Sequence, residues 1–432
     1  MLAHAFVASQ AFGNHNARPA RTVRPRDHMS TIDRCDYDVT VVTTASLPWL
    51  TGPAYLSLHQ AIGLTRLGYR VAYGVPWVEA EDQDWLWGTP IFACRQAHRD
   101  WLLREAEALG CEARLEIFHY RAEVWHLFRS IVPKEDVIAA APSSRALVMI
   151  EPEHLTWKAV STPRPAADFE RVIGVVMTNY GYYIARQPFP GSGLLARWVT
   201  RLHRFLIRRY TDLAIPISPA VADVTAGHPG GEARVTGVYG GYAEVPPVTA
   251  TTRGAYFIGR LVWEKGLEAV IDIARLSGHP IDVIGNGPDE AAIRALATQR
   301  SAPLRFLGPT AEAWRCLTDY RVFVNPSASE VLCSTTAEAL VAGRHVVLYD
   351  CPANEPFRRY PNTHFFSDTE GALAGLRRAL SEAPQAPDLA RREFDWLQAC
   401  RTLAAFWEDA SRPPAPAGRA VAPPSPGHRS LA

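Results

Sequence analysis

Two Rossmann-like doubly wound α/β domains facing a cleft are the architecture this sequence predicts, and three observations carry the expectation. The chain has 432 residues, more than one ordinary core holds, so two domains of about 150–200 residues are expected. Short β-rich apolar runs alternate with helical patterns along most of it, as in parallel sheets covered on both faces. The alternation stops at the Gly-, Pro- and Thr-rich stretch from Gly240 to Thr252 and then begins again.

The strands of the first domain are expected at Val39–Thr44, Arg70–Val75, Ala146–Ile150, Val172–Met177 and Leu213–Ile217, with helices such as Ala54–Leu67 and Leu194–Tyr210 between them. Those of the second fall at Ala255–Ile258, Ile281–Ile284, Leu304–Leu307, Val322–Val324 and Val346–Tyr349. The first domain is placed at 36–245 and the second at 250–395, followed by a helix over 396–410 that crosses back toward the first. Residues 1–35, with five arginines from Arg18 to Arg34 and little apolar periodicity, read as a disordered leader. Residues 411–432, rich in Pro, Ala, Gly and Ser, read as a flexible tail.

Composition narrows the class. Hydrophobic residues make up 47% and charged residues 21%, and no run of about 18 uncharged apolar residues is present, which excludes a membrane-spanning helix. A net charge of +1 removes global attraction to nucleic acid. Seven cysteines scattered without a C-x-x-C pattern fit neither a disulfide framework nor a zinc site, so a reducing cytoplasm is expected. Lysine is scarce: Lys134, Lys158 and Lys265 stand against 42 arginines, so a lysine at a strand end draws notice.

Ligands of doubly wound sheets bind beyond the carboxyl ends of the strands, and the chemistry-bearing residues lie there. After the first strand of the second domain come Gly259, Arg260 and Lys265, two cations five residues apart that can converge on a diphosphate; a surface turn with solvated charges is the plainer reading. After Val322–Val324 come Glu330, Val331, Leu332, Cys333, Ser334, Thr335, Thr336 and Glu338. A helix starting near Cys333 offers amides and hydroxyls to an anion, with Glu338 one turn in to accept ribose hydroxyls and Glu330 ahead of it for sugar hydroxyls. Alternatively Glu330 is a cap and Glu338 a solvated helix position. The turn Gly285-Asn286-Gly287-Pro288 either approaches a nucleotide or simply starts a helix.

In the first domain, Trp49 and Gly52 follow strand one, where glycine allows close approach of a ligand. Glu151, Glu153, His154 and Trp157 end another strand and combine acids, an imidazole and a stacking ring where an acceptor sugar would lie. The pairs Asp36/Asp38 and Asp82/Asp84 match D-x-D but precede a strand or sit in a polar loop, so they read as solvated surface and no metal is expected.

The motifs G-R-L-V-W-E-K-G, V-I-G-N-G-P, V-F-V-N-P-S and E-x7-E, in that order, resemble the donor half of glycosyltransferase family 4, with the GT-B fold. T-T-A-S-L-P-W-L-T-G, E-P-E-H-L-T-W and M-T-N-Y extend the resemblance, from about Val39 to Pro384, to the digalactosyldiacylglycerol synthases. The resemblance implies retaining transfer of galactose from UDP-galactose to a monogalactosyl diacylglycerol at a membrane surface, with no cofactor. Arg260 and Lys265 would then neutralise the diphosphate, Glu338 would hold the ribose, and Glu330 with Val331 and Leu332 would orient the hexose. The family commonly has histidine before T-N-Y; here that position is Met177, followed by Thr178 and Asn179, and His154 is the candidate to compensate. A UDP-glucose-dependent or other glycolipid or polysaccharide transferase, and a donor-site pseudoenzyme acting as a binding module, are the alternatives. A stripe of Arg197, Arg201, Arg204 and Arg208 beside Leu194, Leu195, Trp198, Leu202, Phe205 and Leu206 makes Leu194–Tyr210 a candidate membrane contact, or else a helix packed on its sheet.

Overall fold

A computed structural model describes residues 36–408 apart from 112–114, 127–129, 160–168, 186–189, 231–232, 311 and 329. The leader and tail of the sequence reading lie outside the described residues. The first sheet is built from β1 (Tyr37–Thr43), β2 (Val71–Trp77), β3 (Leu115–Trp125), β4 (Ser130–Pro133), β5 (Ser144–Ile150), β6 (Phe169–Val176) and β7 (Leu213–Pro216), in the spatial order β4-β3-β2-β1-β5-β6-β7. The second holds β8 (Gly254–Ile258), β9 (Ile281–Ile284), β10 (Leu304–Gly308), β11 (Tyr320–Asn325), β12 (His345–Tyr349) and β13 (Thr363–Phe366), in the order β10-β9-β8-β11-β12-β13. Both sheets therefore reverse direction at their first strand, β1 between β2 and β5 and β8 between β9 and β11. This is the switch point at which such folds bind ligands.

Every pairing is parallel except that of β4, which returns antiparallel along the end of β3 with Ala122 opposite Pro133. The central strands are buried on both faces: Val39, Val41 and Val42 of β1 and Val322, Phe323 and Val324 of β11 are fully enclosed. That explains why they read as continuous apolar runs. The sequence reading missed three strands. β3, with the sequence LEIFHYRAEVW, carries polar side chains between its apolar ones, and β4 and β13 are four-residue strands. Each lies at or next to a sheet edge, where one side of the strand tolerates polarity.

The helix Gly52–Arg66 has Pro53 in its first turn and buries Leu56, Leu58, Ile62 and Leu64. Its apolar surface is wide because it is covered twice. The sheet lies on one side, and the helix Trp396–Glu408 brings Cys400, Leu403, Ala404 and Trp407 into the same core. Cys400 Sγ lies 3.8 Å from the carbonyl of Gln60. The chain reaches this helix through Phe394, whose carbonyl accepts from the amide of Val238 at 2.8 Å. The C-terminal helix thus ties the second half of the chain to the first at a point away from the strand ends.

Candidate active site

The site grows from the loop after β8. A 3-10 turn, Trp263–Lys265, ends at Gly266 in the left-handed region (φ 75°), and a Cβ there would lie 2.8 Å from the carbonyl of Pro326. Only glycine lets the Lys265 turn sit against the turn that follows β11. Gly285, at φ 135°, plays the same part beside Gly259, whose carbonyl a Cβ would meet at 2.0 Å. The Gly285–Pro288 turn thus packs the loop bearing Arg260, with the amide of Leu261 donating to Asn286 O at 2.8 Å. The following helix begins at Glu290 with Asp289 at its N-cap, so Pro288 stands one residue ahead of the cap rather than in the first turn.

Lys265 Nζ donates to Glu330 Oε1 at 2.6 Å, with 27% and 12% of the two side chains exposed. Burial works against the lysine's charge, but the Glu330 carboxylate outweighs it and holds the Lys265 pKa above its ordinary value. Arg260 is exposed on the same loop. Buried Asn325, the last residue of β11, donates to Thr336 Oγ1 and to Cys333 Sγ, both at 3.2 Å, and fastens the strand end to the start of the helix Ser334–Val341. Cys333 is the N-cap of that helix, with its thiol pushed up to about 11 by burial. Ser334 is exposed and Thr335 shares a contact with Cys333 Sγ at 3.1 Å. Thr336 is fully buried, and its hydroxyl oxygen accepts from Asn325 at the junction of strand and helix.

Glu338 sits one turn into the helix among phenols. Burial raises its pKa to about 7, and a hydrogen bond from Tyr242 pulls the other way. The carboxylate also raises the pKa of Tyr55, after desolvation, and Tyr55 lies on the helix Gly52–Arg66 of the first half. Glu338 therefore looks across the cleft rather than into open solvent.

On the opposite side, Glu151 follows β5 in a left-handed conformation (φ 63°, ψ 63°), a strained choice for a non-glycine residue that costs on the order of 1–3 kcal/mol. The strain turns its carboxylate onto hydroxyls at two other strand ends, Thr44 after β1 and Thr178 after β6. Glu153 is fully buried with neither carboxylate oxygen hydrogen-bonded; desolvation, reinforced by Glu151, pushes its pKa well above the ordinary value. Met177 meets Gly52, where an added Cβ would lie 3.8 Å from the methionine Cε. Trp49 is half-buried against the first-half cores. Asn179 is occupied locally: its Nδ2 donates to Ala220 O at 2.9 Å and its Oδ1 accepts from the Tyr182 amide at 3.0 Å.

His154 is corrected by its surroundings. It is 3% exposed, with Nε2 donating to Ile131 O at 2.7 Å and Nδ1 2.8 Å from the Tyr180 hydroxyl, and its ring stacks on Trp157. Burial lowers its pKa below the ordinary histidine value. With both nitrogens engaged it is a framework residue that orients Tyr180, and it does not replace the imidazole missing at Met177. Of the D-x-D pairs, Asp38 receives the Arg70 amide at 2.7 Å and Asp82 lies 3.1 Å from His126.

The structure thus brings together Arg260, Lys265, Glu330 and the start of the helix bearing Glu338 on one side, and Gly52, Met177, Glu151 and Thr178 on the other. The link between them was not read from sequence. Tyr183, raised in pKa by desolvation, lies within the electrostatic reach of Lys265, Glu330 and Arg260, although it belongs to the helix Tyr180–Ala185 after β6. Its neighbour Tyr182 donates to Ala328 O at 3.2 Å. The signal available was the aromatic run Y-G-Y-Y just past a strand end.

Among known proteins, the family described as glycosyl transferases group 1 matches residues 252–381. Digalactosyldiacylglycerol synthase 1 of Lotus japonicus is 33% identical over 394 residues, covering 87% of this chain and 49% of its own. Digalactosyldiacylglycerol synthase 2 of Glycine max is 31% identical, covering 84% of this chain and 81% of its own. The chain thus spans about half the length of the first group of curated relatives and four fifths of the second. In fold it resembles HepE of Anabaena, solved with UDP, with a TM-score of 0.56 at 13% identity over 86% of this chain and 99% of that one. Sucrose-phosphate synthase of Thermosynechococcus elongatus gives a TM-score of 0.55 at 13% identity over 87% and 97%. Two facing doubly wound sheets, a strand-end cleft and identity above 30% across most of a digalactosyldiacylglycerol synthase 2 place this chain, with the GT-B fold, in the family of the digalactosyldiacylglycerol synthases.

Proposed function

We propose that the protein transfers galactose from UDP-galactose to the sugar of a monogalactosyl diacylglycerol, with retention of configuration and without a metal. The observation that carries this reading is the Lys265–Glu330 pair at 2.6 Å, set beside Arg260 on a switch-point loop and reached from the opposite half by Tyr183. Support also comes from the names of the relatives and from the UDP that HepE binds.

As the bond from the anomeric carbon to the diphosphate breaks, negative charge grows on the leaving oxygens. Arg260 and Lys265 neutralise it, the part a divalent ion takes in other transferases. Glu338 accepts from the ribose hydroxyls and Glu330, released from Lys265 by the diphosphate, accepts from the hexose. The acceptor hydroxyl enters on the face the diphosphate leaves, and its proton passes to the departing phosphate oxygen, so no protein nucleophile is needed. Met177 offers an apolar thioether beside Gly52, which shapes the pocket without donating a hydrogen bond.

A diacylglycerol acceptor stays in the bilayer, and among the described residues no helix is long and apolar enough to cross a membrane. The reading is a peripheral enzyme on the cytoplasmic face, meeting lipid through the helix Ser192–Tyr210. That helix buries Ala196, His203, Leu206, Ile207 and Tyr210 on the sheet side and leaves Leu194 72%, Trp198 50% and Phe205 52% exposed beside exposed Arg197 and Arg201. Arg204 and Arg208 instead donate to the carbonyls of Asp223 and Ala226, so the stripe read from sequence is divided.

The test is donor selection. Purified protein with vesicles of monogalactosyl diacylglycerol should consume UDP-galactose faster than UDP-glucose and yield a dihexosyl lipid in EDTA. Preference for UDP-glucose would move the protein to the alternative transferase, and absence of turnover with both would make it a binding module.

A further inference from the structure

Glu330 lies on an irregular loop between β11 and the helix Ser334–Val341, and that loop is held from the other half of the protein. Tyr182 Oη donates to the carbonyl of Ala328 at 3.2 Å, and Ser218 Oγ donates to the carbonyl of Val331. The two bonds bracket Glu330, one on each side. Both donors stand at strand ends of the first sheet, Tyr182 in the helix after β6 and Ser218 in the turn after β7. The Val331 side chain adds an apolar contact with the cluster of Val176, Ile207, Ala214, Val221 and Val224, all of the first half.

The geometry points to Tyr182 and Ser218 as positioning residues that set Glu330 against the donor hexose only when the acceptor half is docked on the loop. The inference rests on the transferase reading above and deepens it. Glu330 has two claims on its carboxylate, Lys265 and the sugar, so the backbone that carries it must be fixed for the carboxylate to meet the hexose in one orientation. The clamp supplies that restraint. It also connects to the acceptor side: Thr178 holds Glu151, its neighbour Asn179 accepts from the Tyr182 amide, and Tyr182 holds Ala328. The nucleoside diphosphate needs none of this, since Arg260, Lys265 and Glu338 all belong to the second half. UDP affinity and hexose positioning are therefore separable.

The experiment uses the full chain with Tyr182→Phe, Ser218→Ala and the double change, and Ser218→Thr as the conservative control. Calorimetric affinity for UDP, the rate of transfer from UDP-galactose, and the fraction of donor hydrolysed by water to UDP and free galactose are measured together. Loss of two neutral hydrogen bonds predicts a kcat for transfer lowered about tenfold or more in the double variant. A larger hydrolysed fraction is expected alongside, with UDP affinity within about twofold of the parent and Ser218→Thr near parental behaviour. Unchanged kcat and hydrolysed fraction would overturn the clamp, as would UDP affinity falling in step with kcat, which would signal a disordered donor half instead. A parent protein that transfers to lipid while the double variant does the same rejects only the clamp; a parent that turns over no UDP-sugar rejects the transferase reading first.

Discussion

Glu338→Gln separates the two demands on one carboxyl. Its pKa stands at about 7 against 4.5 for an ordinary glutamate, because the folded protein strips water from it. A folded pKa above the unfolded one means that the native state binds the proton more tightly. This residue's effect on stability is therefore most favourable below pH 4.5, declines between pH 4.5 and 7, and is constant above. The shift corresponds to about 3 kcal/mol as an upper bound, and partial solvent access reduces it to about 2 kcal/mol. Gln avoids the burden, so the variant should match the parent at pH 4.5 and exceed it by about 2 kcal/mol at pH 8, read as a melting temperature higher by several degrees. UDP binding should move in the opposite direction. A charged acceptor for ribose hydroxyls contributes about 1.5–3 kcal/mol, so the variant should bind UDP about 10- to 100-fold more weakly at pH 8. The difference should shrink toward pH 6, where the parent's own carboxyl is largely protonated. Calorimetric titration with UDP at pH 6, 7 and 8, beside thermal melts, reads both. Equal UDP affinity of parent and variant at pH 8, or parental affinity flat across the range, would refute the ribose role. A variant no more stable than the parent at pH 8 would refute the desolvation argument.

Lys265→Ala leaves the leaving diphosphate short of one cation and should lower kcat by about 10²- to 10³-fold at saturating donor; a near-parental rate would remove the lysine from the chemistry. Thr178→Val strips a hydroxyl from the buried Glu151 carboxylate and should destabilise the fold by about 1–3 kcal/mol in chemical denaturation, and an unchanged midpoint would show that Glu151 finds another partner. Reversing Arg197 and Arg201 to glutamate should release the protein from anionic liposomes in flotation, since each arginine near such a surface contributes on the order of 1 kcal/mol. Binding that ignores both the reversal and salt would assign the membrane contact elsewhere.

Much of this fold was legible because parallel sheets buried on both faces write themselves as unbroken apolar runs. β9 is found where Ile281–Ile284 was read, and β1, β8 and β11 lie within a few residues of their expected spans. A strand with polar side chains between its apolar ones carries no such signature, and β3 with its interleaved Glu116, His119 and Arg121 was invisible for that reason. The donor residues were legible one strand end at a time: Arg260, Lys265, Glu330 and Glu338 each follow a strand of one sheet. What no local pattern reveals is contact across the cleft. Tyr183 within the electrostatic reach of Lys265, Tyr55 within that of Glu338, and Ser218 on the carbonyl of Val331 all relate residues more than 80 positions apart. His154 failed for a related reason, since only the fold places Ile131 O and the Tyr180 hydroxyl on its two nitrogens.

The central claim, galactosyl transfer to a lipid-borne sugar with retention, is tested most directly by the product itself. Protein, UDP-galactose and monogalactosyl diacylglycerol vesicles are incubated in EDTA, and the purified lipid is examined by mass spectrometry and proton NMR. The account predicts one added hexose, identified as galactose, joined through the same α configuration it had in UDP-galactose. A β linkage, or UDP release without any new lipid, would contradict it.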